Sequence, residues 1–156
     1  MELVAVVDES EASRSAFGCW IAGCATRAGR PISWCVRPDD LAATAGRLEL
    51  RIEEGSRTKP SGERVEWRTA GIGEAASSPG LPFFIEWRDP AAFPGATESP
   101  AATIARVEIA CNLTRLSAWL GTHELPIDVK PGDAGITGVV LEGPRGPIEL
   151  SAEPSL

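Results

Sequence analysis

The chain has 156 residues, of which 43% are apolar and 24% are charged. These fractions are typical of a globular domain. The formal net charge of −7 argues against nucleic acid as a partner, because phosphate binding requires a cationic surface. No stretch approaches the roughly eighteen apolar residues of a membrane span, and the N-terminus lacks the pattern of a secretion signal. We therefore expect a cytoplasmic protein that binds neither nucleic acid nor membrane.

The chain opens on a strand pattern, MELVAVVDES, in which apolar residues predict a buried strand over residues 1–7. Apolar side chains at helical spacing then predict a helix over residues 10–28. Asp8 with Glu11 resembles a capping box at the start of that helix. A chain seldom begins inside the core of its fold, so this opening needs an explanation.

Cysteine spacing excludes a zinc site. The four cysteines form no CxxC pair, and the chain has one histidine. We interpret Cys19, Cys24, Cys35 and Cys111 as small buried thiols in a reducing compartment.

The sequence pattern in the middle of the chain predicts a strand, then a helix, then three further strands. Alternation in ISWCVR predicts a half-buried strand, and Asp39 or Asp40 then caps a short helix that ends at Leu48. The next three strands are LRIEE, ERVEWRT and LPFFIEWR. A loop rich in Gly, Ala and Ser, residues 70–80, precedes the last of them.

The same order returns after a Pro-rich linker. TIARVEIA is a predicted strand, and NLTRLSAWLG is a helix capped by Asn112, with Gly121 just past its end. Three further strands follow, namely PIDVK, GITGVVLE and GPIELS. The chain thus contains two consecutive β-α-β-β-β units. The predicted parts are a leftover strand and helix (1–31), a first unit (32–88), a linker (89–102), a second unit (103–151) and a tail (152–156).

Both units close on a strand in which Glu follows Ile, FFIEW with Glu86 and PIEL with Glu149. Together with SWCVRPDDLAATAGRL, SRTKPSGERVEWRTAG, LPFFIEWRDP and GPRGPIEL, this pattern resembles the vicinal oxygen chelate superfamily. The resemblance is to its bacterial proteins with a glyoxalase-like domain, and it covers most of residues 32–150. It implies an α+β fold of the glyoxalase/bleomycin-resistance type, with curved sheets around a cleft and helices outside.

The resemblance also accounts for the opening strand. Relatives usually carry an additional unit first, so residues 1–7 are expected to be the closing strand of a unit that is otherwise missing. An unpaired strand edge invites pairing with another chain. We therefore expect this strand to pair within a homodimer or to dock on the second unit of its own chain.

In this superfamily a divalent metal is usually held by His from the first strand and Glu from the last strand of each unit. Glu86 and Glu149 stand at the Glu positions. Ser33 stands at the first His position, and Arg106, or Ala105 in a register shifted by one residue, stands at the second. None of these three is a normal metal ligand. We therefore expect no cofactor and no tightly bound metal.

The candidate residues have structural alternatives. The two glutamates face the cleft or form the polar side of half-exposed strands. The strand arginines bind an anionic ligand or pair with Glu across strands; these are Arg37, Arg68 and Arg106. The tryptophans pack in the core or form a stacking platform; these are Trp34, Trp67, Trp87 and Trp119. The predicted ligand-binding set is Glu86, Glu149, Arg106, Glu108, Arg37 and Cys35.

Strand alternation predicts which residues in the first strand of each unit face the helices. Trp34, Val36, Val107 and Ile109 should pack under the helices, whereas Ser33, Cys35, Arg106 and Glu108 should face the other side.

Two functions follow from these residues. The first is a metal-free protein that holds a small organic molecule in the cleft between the units. The alternative is a metal-dependent glyoxalase-type lyase or dioxygenase whose full-length form supplies the missing ligands. A truncated remnant that only dimerises is less favoured, because both units contain every element. The absence of His favours binding over catalysis, and whether any reaction occurs stays open.

Overall fold

The computed structural model describes residues 4–24, 31–59, 61–92, 102–121 and 123–151. Within these residues the chain folds as an α+β protein with two four-stranded mixed sheets, which confirms the predicted class. The helices are α1 (Glu9–Ala12), α2 (Ala16–Gly23), α3 (Leu41–Leu48), α4 (Ile72–Ser77) and α5 (Leu113–Leu120). The strands are β1 (Cys35–Val36), β2 (Ile52–Thr58), β3 (Arg64–Ala70), β4 (Phe83–Trp87), β5 (Thr103–Ala110), β6 (Ile127–Lys130), β7 (Gly135–Gly143) and β8 (Gly146–Ser151). No helix among the described residues is long and apolar enough to cross a membrane.

The first sheet has the strand order β1-β4-β3-β2, and β1 runs parallel to β4. Val36 lies opposite Phe84, which in turn lies opposite Ala70, so these three buried side chains share one face. Helix α3 covers this face through buried Leu41. The Asp40 carboxylate starts α3 by accepting the Ala43 N–H at 2.9 Å, so Asp40 rather than Asp39 is the cap.

The second sheet has the order β6-β5-β7-β8. Here the first strand of the unit, β5, lies inside the sheet, between a parallel and an antiparallel neighbour. In the first sheet the first strand lies at an edge. The two units therefore differ in the order of strands across the sheet. Along the chain both begin with strand, helix and two strands, but the first unit has an additional helix, α4, before its last strand. Among the described residues no strand pairing joins the two sheets, so they are not closed.

One hydrophobic core contains side chains from both units. Buried residues of the first unit, Val36, Leu41 and Phe84 among them, contact buried residues of the second, including Val107, Ile109 and Leu116. The alternation predicted for β5 is confirmed, because Val107 and Ile109 are buried. In the first unit it holds for Cys35 and buried Val36, but Ser33 and Trp34 precede the short strand β1 and are both half-buried, so their predicted opposite sides are not seen. On the other side, Cys35 and Arg106 are exposed and Glu108 is half-buried.

Helix α5 is the main link between the units. Its Trp119 ring stacks on Phe84 of β4 with ring centroids 5.9 Å apart. The Trp119 indole N–H donates to the Pro82 carbonyl at 2.8 Å. From α3, the Arg47 guanidinium donates to the Ala118 and Trp119 carbonyls, at 2.7 Å each. Carbonyls at a helix C-terminus lack partners within the helix, so Arg47 both caps α5 and ties it to α3.

In the described chain residues 4–7 dock on neither sheet, whereas pairing within a homodimer stays a prediction. Residues 4–7 form no strand, and Val4 and Val7 are 44% and 99% exposed. Residues 1–3 of the predicted strand lie outside the described residues. A strand is stable only when a neighbour accepts its backbone hydrogen bonds, and residues 4–7 pair with no strand of the described chain. The unpaired strand edge, which was the reason to expect a homodimer, is therefore not seen in residues 4–7.

The single helix predicted over residues 10–28 is two short helices, α1 and α2. Its described part breaks at a turn in which the Ser13 hydroxyl donates to the Ser10 carbonyl and the Ser15 side chain accepts the Gly18 N–H. Serine side chains that bond the nearby backbone compete with helix continuation. Asp8 does cap α1, by accepting the Glu11 N–H at 3.0 Å. Residues 25–28 lie outside the described residues.

Two further predictions need correction. The loop predicted over residues 70–80 contains helix α4, which is held by buried Ile72 and Ala75. The cysteines are not uniformly buried: Cys111 is, whereas Cys19 and Cys35 are exposed. Of the predicted linker, Pro90–Ala92 form a 3-10 turn, and residues 93–101 lie outside the described part.

Replacing Arg47 with Met should weaken the link between the units. The change keeps much of the length of the side chain but removes both hydrogen bonds to α5. Because Arg47 is exposed, we expect the free energy of unfolding to fall by about 1 kcal/mol. Urea unfolding measures the loss, and Arg115→Met, at an exposed position on α5, is the matched control. Equal midpoints for the two variants would contradict the role given to Arg47.

Candidate functional site

A cavity of about 70 Å³, partly open to solvent, lies where the two units meet. Its walls come from α2, from the approach to β1, from α4 with the loop that follows it, and from the start of β7. Trp20, Ser33, Trp34, Gly80 and Gly135 are among the lining residues. We call this space the inter-unit cavity.

Local chemistry fixes one wall of the inter-unit cavity. The Trp34 indole N–H donates to the Gly80 carbonyl at 2.9 Å. Gly80 has φ +88, and a Cβ at this position would lie 2.7 Å from Cβ of Cys111 in the second unit. Only glycine combines this backbone conformation with so close an approach. The loop after α4 therefore lies directly against the second unit.

Ser33 is one of the residues that line the cavity. The sequence pattern aligns it with a superfamily position that usually carries His. The hydroxyl donates to the Trp34 carbonyl at 3.4 Å, which is long for an O–H donor. The Ser33 oxygen therefore retains capacity to bond a ligand.

The six residues predicted to bind a ligand are all described, and none of them lines this cavity. Arg106, Glu108 and Glu149 share the face of the second sheet that is opposite the core. Arg106 lies opposite Val140, and Val140 lies opposite Glu149. The Cα atoms of Arg106 and Glu149 are thus two strands, or about 10 Å, apart. Arg106 Nη2 lies 3.0 Å from Glu108 Oε1 on its own strand.

Glu86 is the cross-strand partner of Arg68. The two residues are in register on β4 and β3, and Glu86 accepts hydrogen bonds from Nε of Arg68, at 2.8 Å, and from its Nη2. Their side chains are 31% and 34% exposed, respectively. The pairing alternative is therefore confirmed for Arg68. The Glu86 carboxylate is thus bound to the Arg68 guanidinium rather than directed at a ligand.

The remaining candidates of the first unit lie apart from Glu86. Cys35 is opposite Phe83, whereas Glu86 is two residues from Phe84, so Cys35 and Glu86 point to opposite faces of the sheet. Arg37 follows β1 and is exposed. The structure thus brings together three of the six predicted residues, all in the second unit, and separates the other three.

The core interpretation is confirmed for two of the four tryptophans. Trp34 and Trp119 pack on the core, as the core interpretation predicts. Trp67 and Trp87 form an aromatic pair across β3 and β4, with centroids 5.4 Å apart. Trp20, which the strand-based analysis did not consider as a site residue, lines the cavity and meets Phe83 edge to face.

The donor atoms present do not fit a divalent metal of the superfamily type. Ser33 offers a neutral hydroxyl, Arg106 is a cation, and Glu86 is already paired with Arg68. Within the described residues no three His, Cys, Asp or Glu side chains are grouped to hold a metal ion. We therefore assign no chemical step to a metal.

In the sequence, only turn patterns indicate the residues that form the cavity walls. The Pro-Gly pair at Gly80 marks a turn, and Gly135 follows a run of turn residues. A turn signal reveals a change of chain direction but not which part of the other unit the turn contacts.

Removing the charge of Glu86 should cost stability. Glu86→Gln weakens a charge-assisted bond to Arg68, and we expect the free energy of unfolding to fall by about 1 kcal/mol. Glu149→Gln is the matched control, because Glu149 is exposed on an edge strand. Chemical denaturation compares the two. An equal cost at both positions would show that the Arg68 pairing contributes nothing.

Burial raises the pKa of the Cys111 thiol above its ordinary value. The unfolded chain therefore loses this proton at lower pH than the folded chain. As a result, stability should begin to fall as the pH rises past the ordinary thiol pKa of 9.0, and it should continue to fall until the raised pKa of the folded chain is reached. Cys111→Ala should flatten this slope, and the exposed-site control Cys19→Ala should not. Identical slopes for all three proteins would contradict the assignment.

Comparison with known protein families agrees with the fold. No curated protein matches the chain, and no solved structure matches it either. The family model described as a glyoxalase-like domain matches residues 1–125, which is 125 of the 156 residues. This confirms the resemblance seen in the sequence, and the chain belongs to the glyoxalase-like domain family.

Proposed function

We propose that this glyoxalase-like chain binds a small organic molecule at the junction of its two units, without a tightly bound metal. The observation that carries the proposal is the placement of Ser33. At the position of a metal-binding His in the superfamily pattern, this chain has a hydroxyl that lines the inter-unit cavity. A hydroxyl positions an oxygen-containing ligand by hydrogen bonding but does not hold a divalent ion by itself.

The architecture of the cavity supports binding of a small ligand. Both units contribute to its walls, and ligand sites occur preferentially at such junctions. The surface that the cavity presents is mainly polar, with the indole rings of Trp20 and Trp34 beside it, and Ser33 is the lining residue with a hydroxyl side chain. A cavity of about 150 Å³ holds benzene, so about 70 Å³ suits a very small molecule or the small end of a larger one.

Family membership leaves one alternative, a metal-dependent glyoxalase-type lyase or dioxygenase. That activity would need ligands beyond Glu86 and Glu149. Arg68 engages Glu86, and the two His positions carry Ser33 and Arg106. The described residues thus favour binding over metal-dependent chemistry.

Filling the cavity should abolish binding. We propose ligand-observed NMR with hydroxyacetone and lactamide, each of which has two neighbouring polar groups and no net charge. At least one should bind with millimolar affinity, as expected of so few atoms. Ser33→Leu should weaken that binding at least about tenfold, a loss equivalent to about 1.4 kcal/mol. Ser56→Leu, on exposed strand β2, should leave the affinity unchanged.

Metal removal separates the two functions. Binding should survive treatment with EDTA. If EDTA abolishes binding and zinc, nickel, manganese or iron restores it, the metal-dependent alternative is correct. If no probe binds, or if Ser33→Leu binds every probe as well as the parent chain, the proposed function is wrong.

A further inference from the structure

The inter-unit cavity has a lining without formal charge. None of the described residues that form its walls carries a charged side chain. The Trp34 indole N–H is already used by the Gly80 carbonyl, whereas the Ser33 hydroxyl makes only a long bond to its neighbour. Polar recognition in this space therefore depends on a neutral hydroxyl and on backbone groups.

The charged residues next to the lining in sequence do not attract an anion to the cavity. Among the described residues next in sequence to lining residues, the charged ones are Glu74, before Ala75, and Asp133, before Ala134. Both are acidic, and the whole chain has a formal net charge of −7. An entering anion would therefore meet repulsion rather than attraction.

Desolvation sets the selectivity. An ion that leaves water for a site without a counter-charge loses its hydration with no equivalent gain. A neutral hydroxyl, carbonyl or amide group loses less hydration free energy than an ion does, and it regains a hydrogen bond with Ser33.

We infer that the inter-unit cavity selects an uncharged ligand, or the uncharged end of one, that offers a hydroxyl or carbonyl oxygen. The inference rests on the proposed function and goes beyond it by naming the ligand class. It also departs from the charged set Glu86, Arg106 and Glu149, which the sequence alone favoured and which lies outside the cavity lining.

Three probes of nearly equal shape test this selectivity. Lactamide is neutral, lactate replaces the amide with a carboxylate, and alaninamide replaces the hydroxyl with an ammonium group. Titrations followed by ligand-observed NMR should show lactamide binding at least about tenfold more tightly than lactate. Lactamide should also bind more tightly than alaninamide, but by a smaller factor, because the acidic neighbours attract a cation. Lactamide affinity should not change with ionic strength, because screening acts on charge pairs. Ser33→Ala should weaken it about threefold to tenfold through loss of one hydrogen bond.

The outcomes separate this inference from the proposed function. If lactate or alaninamide binds as tightly as lactamide, and Ser33→Leu abolishes that binding, the cavity is a ligand site but its selectivity for neutral molecules is wrong. If all three probes and hydroxyacetone fail to bind, or bind Ser33→Leu equally, the site itself is wrong and the inference falls with it. Ser33→Ala, which only shortens the side chain, supplies a second comparison if Ser33→Leu does not fold.

Discussion

The packing of α5 against the first unit is the constraint on which the rest of the structure depends. Trp119 stacks on Phe84 and donates to the Pro82 carbonyl, while Arg47 of α3 caps the end of α5. Neither unit could bury its apolar sheet face as fully alone, because the core combines side chains of both. Burial of apolar area is the main favourable term in folding. The junction of the units is therefore part of the core rather than a surface contact.

The cavity is a consequence of that junction. The loop after α4 approaches the second unit so closely that Gly80 has no room for a side chain beside Cys111. Nearby, the approach to β1, helix α2 and the start of β7 leave a small space between them. Because both units contribute to its walls, the cavity exists only where one unit packs against the other.

The charged residues of the strands mainly form ion pairs that stabilise the sheets. Arg68 pairs with Glu86 across strands, and Arg106 pairs with Glu108 along a strand. Cross-strand pairs of opposite charge stabilise sheets by modest amounts. Isolated glutamates and arginines on strands are thus weak indicators of a site, whereas a polar side chain on a cavity wall, such as Ser33, is a stronger one.

The sequence by itself determined the class of fold, the family and most elements, because these depend on local patterns. The alternation in TIARVEIA predicted β5 over its full length, and Asp40 and Asn112 cap the helices that follow them. Only the tertiary structure decided which strands are neighbours, since β1 lies at an edge and β5 inside a sheet. It also decided that residues 4–7 are not a strand and that Glu86 and Cys35 lie on opposite faces. These features depend on contacts between residues far apart in the chain, and local periodicity carries no information about which distant segments meet.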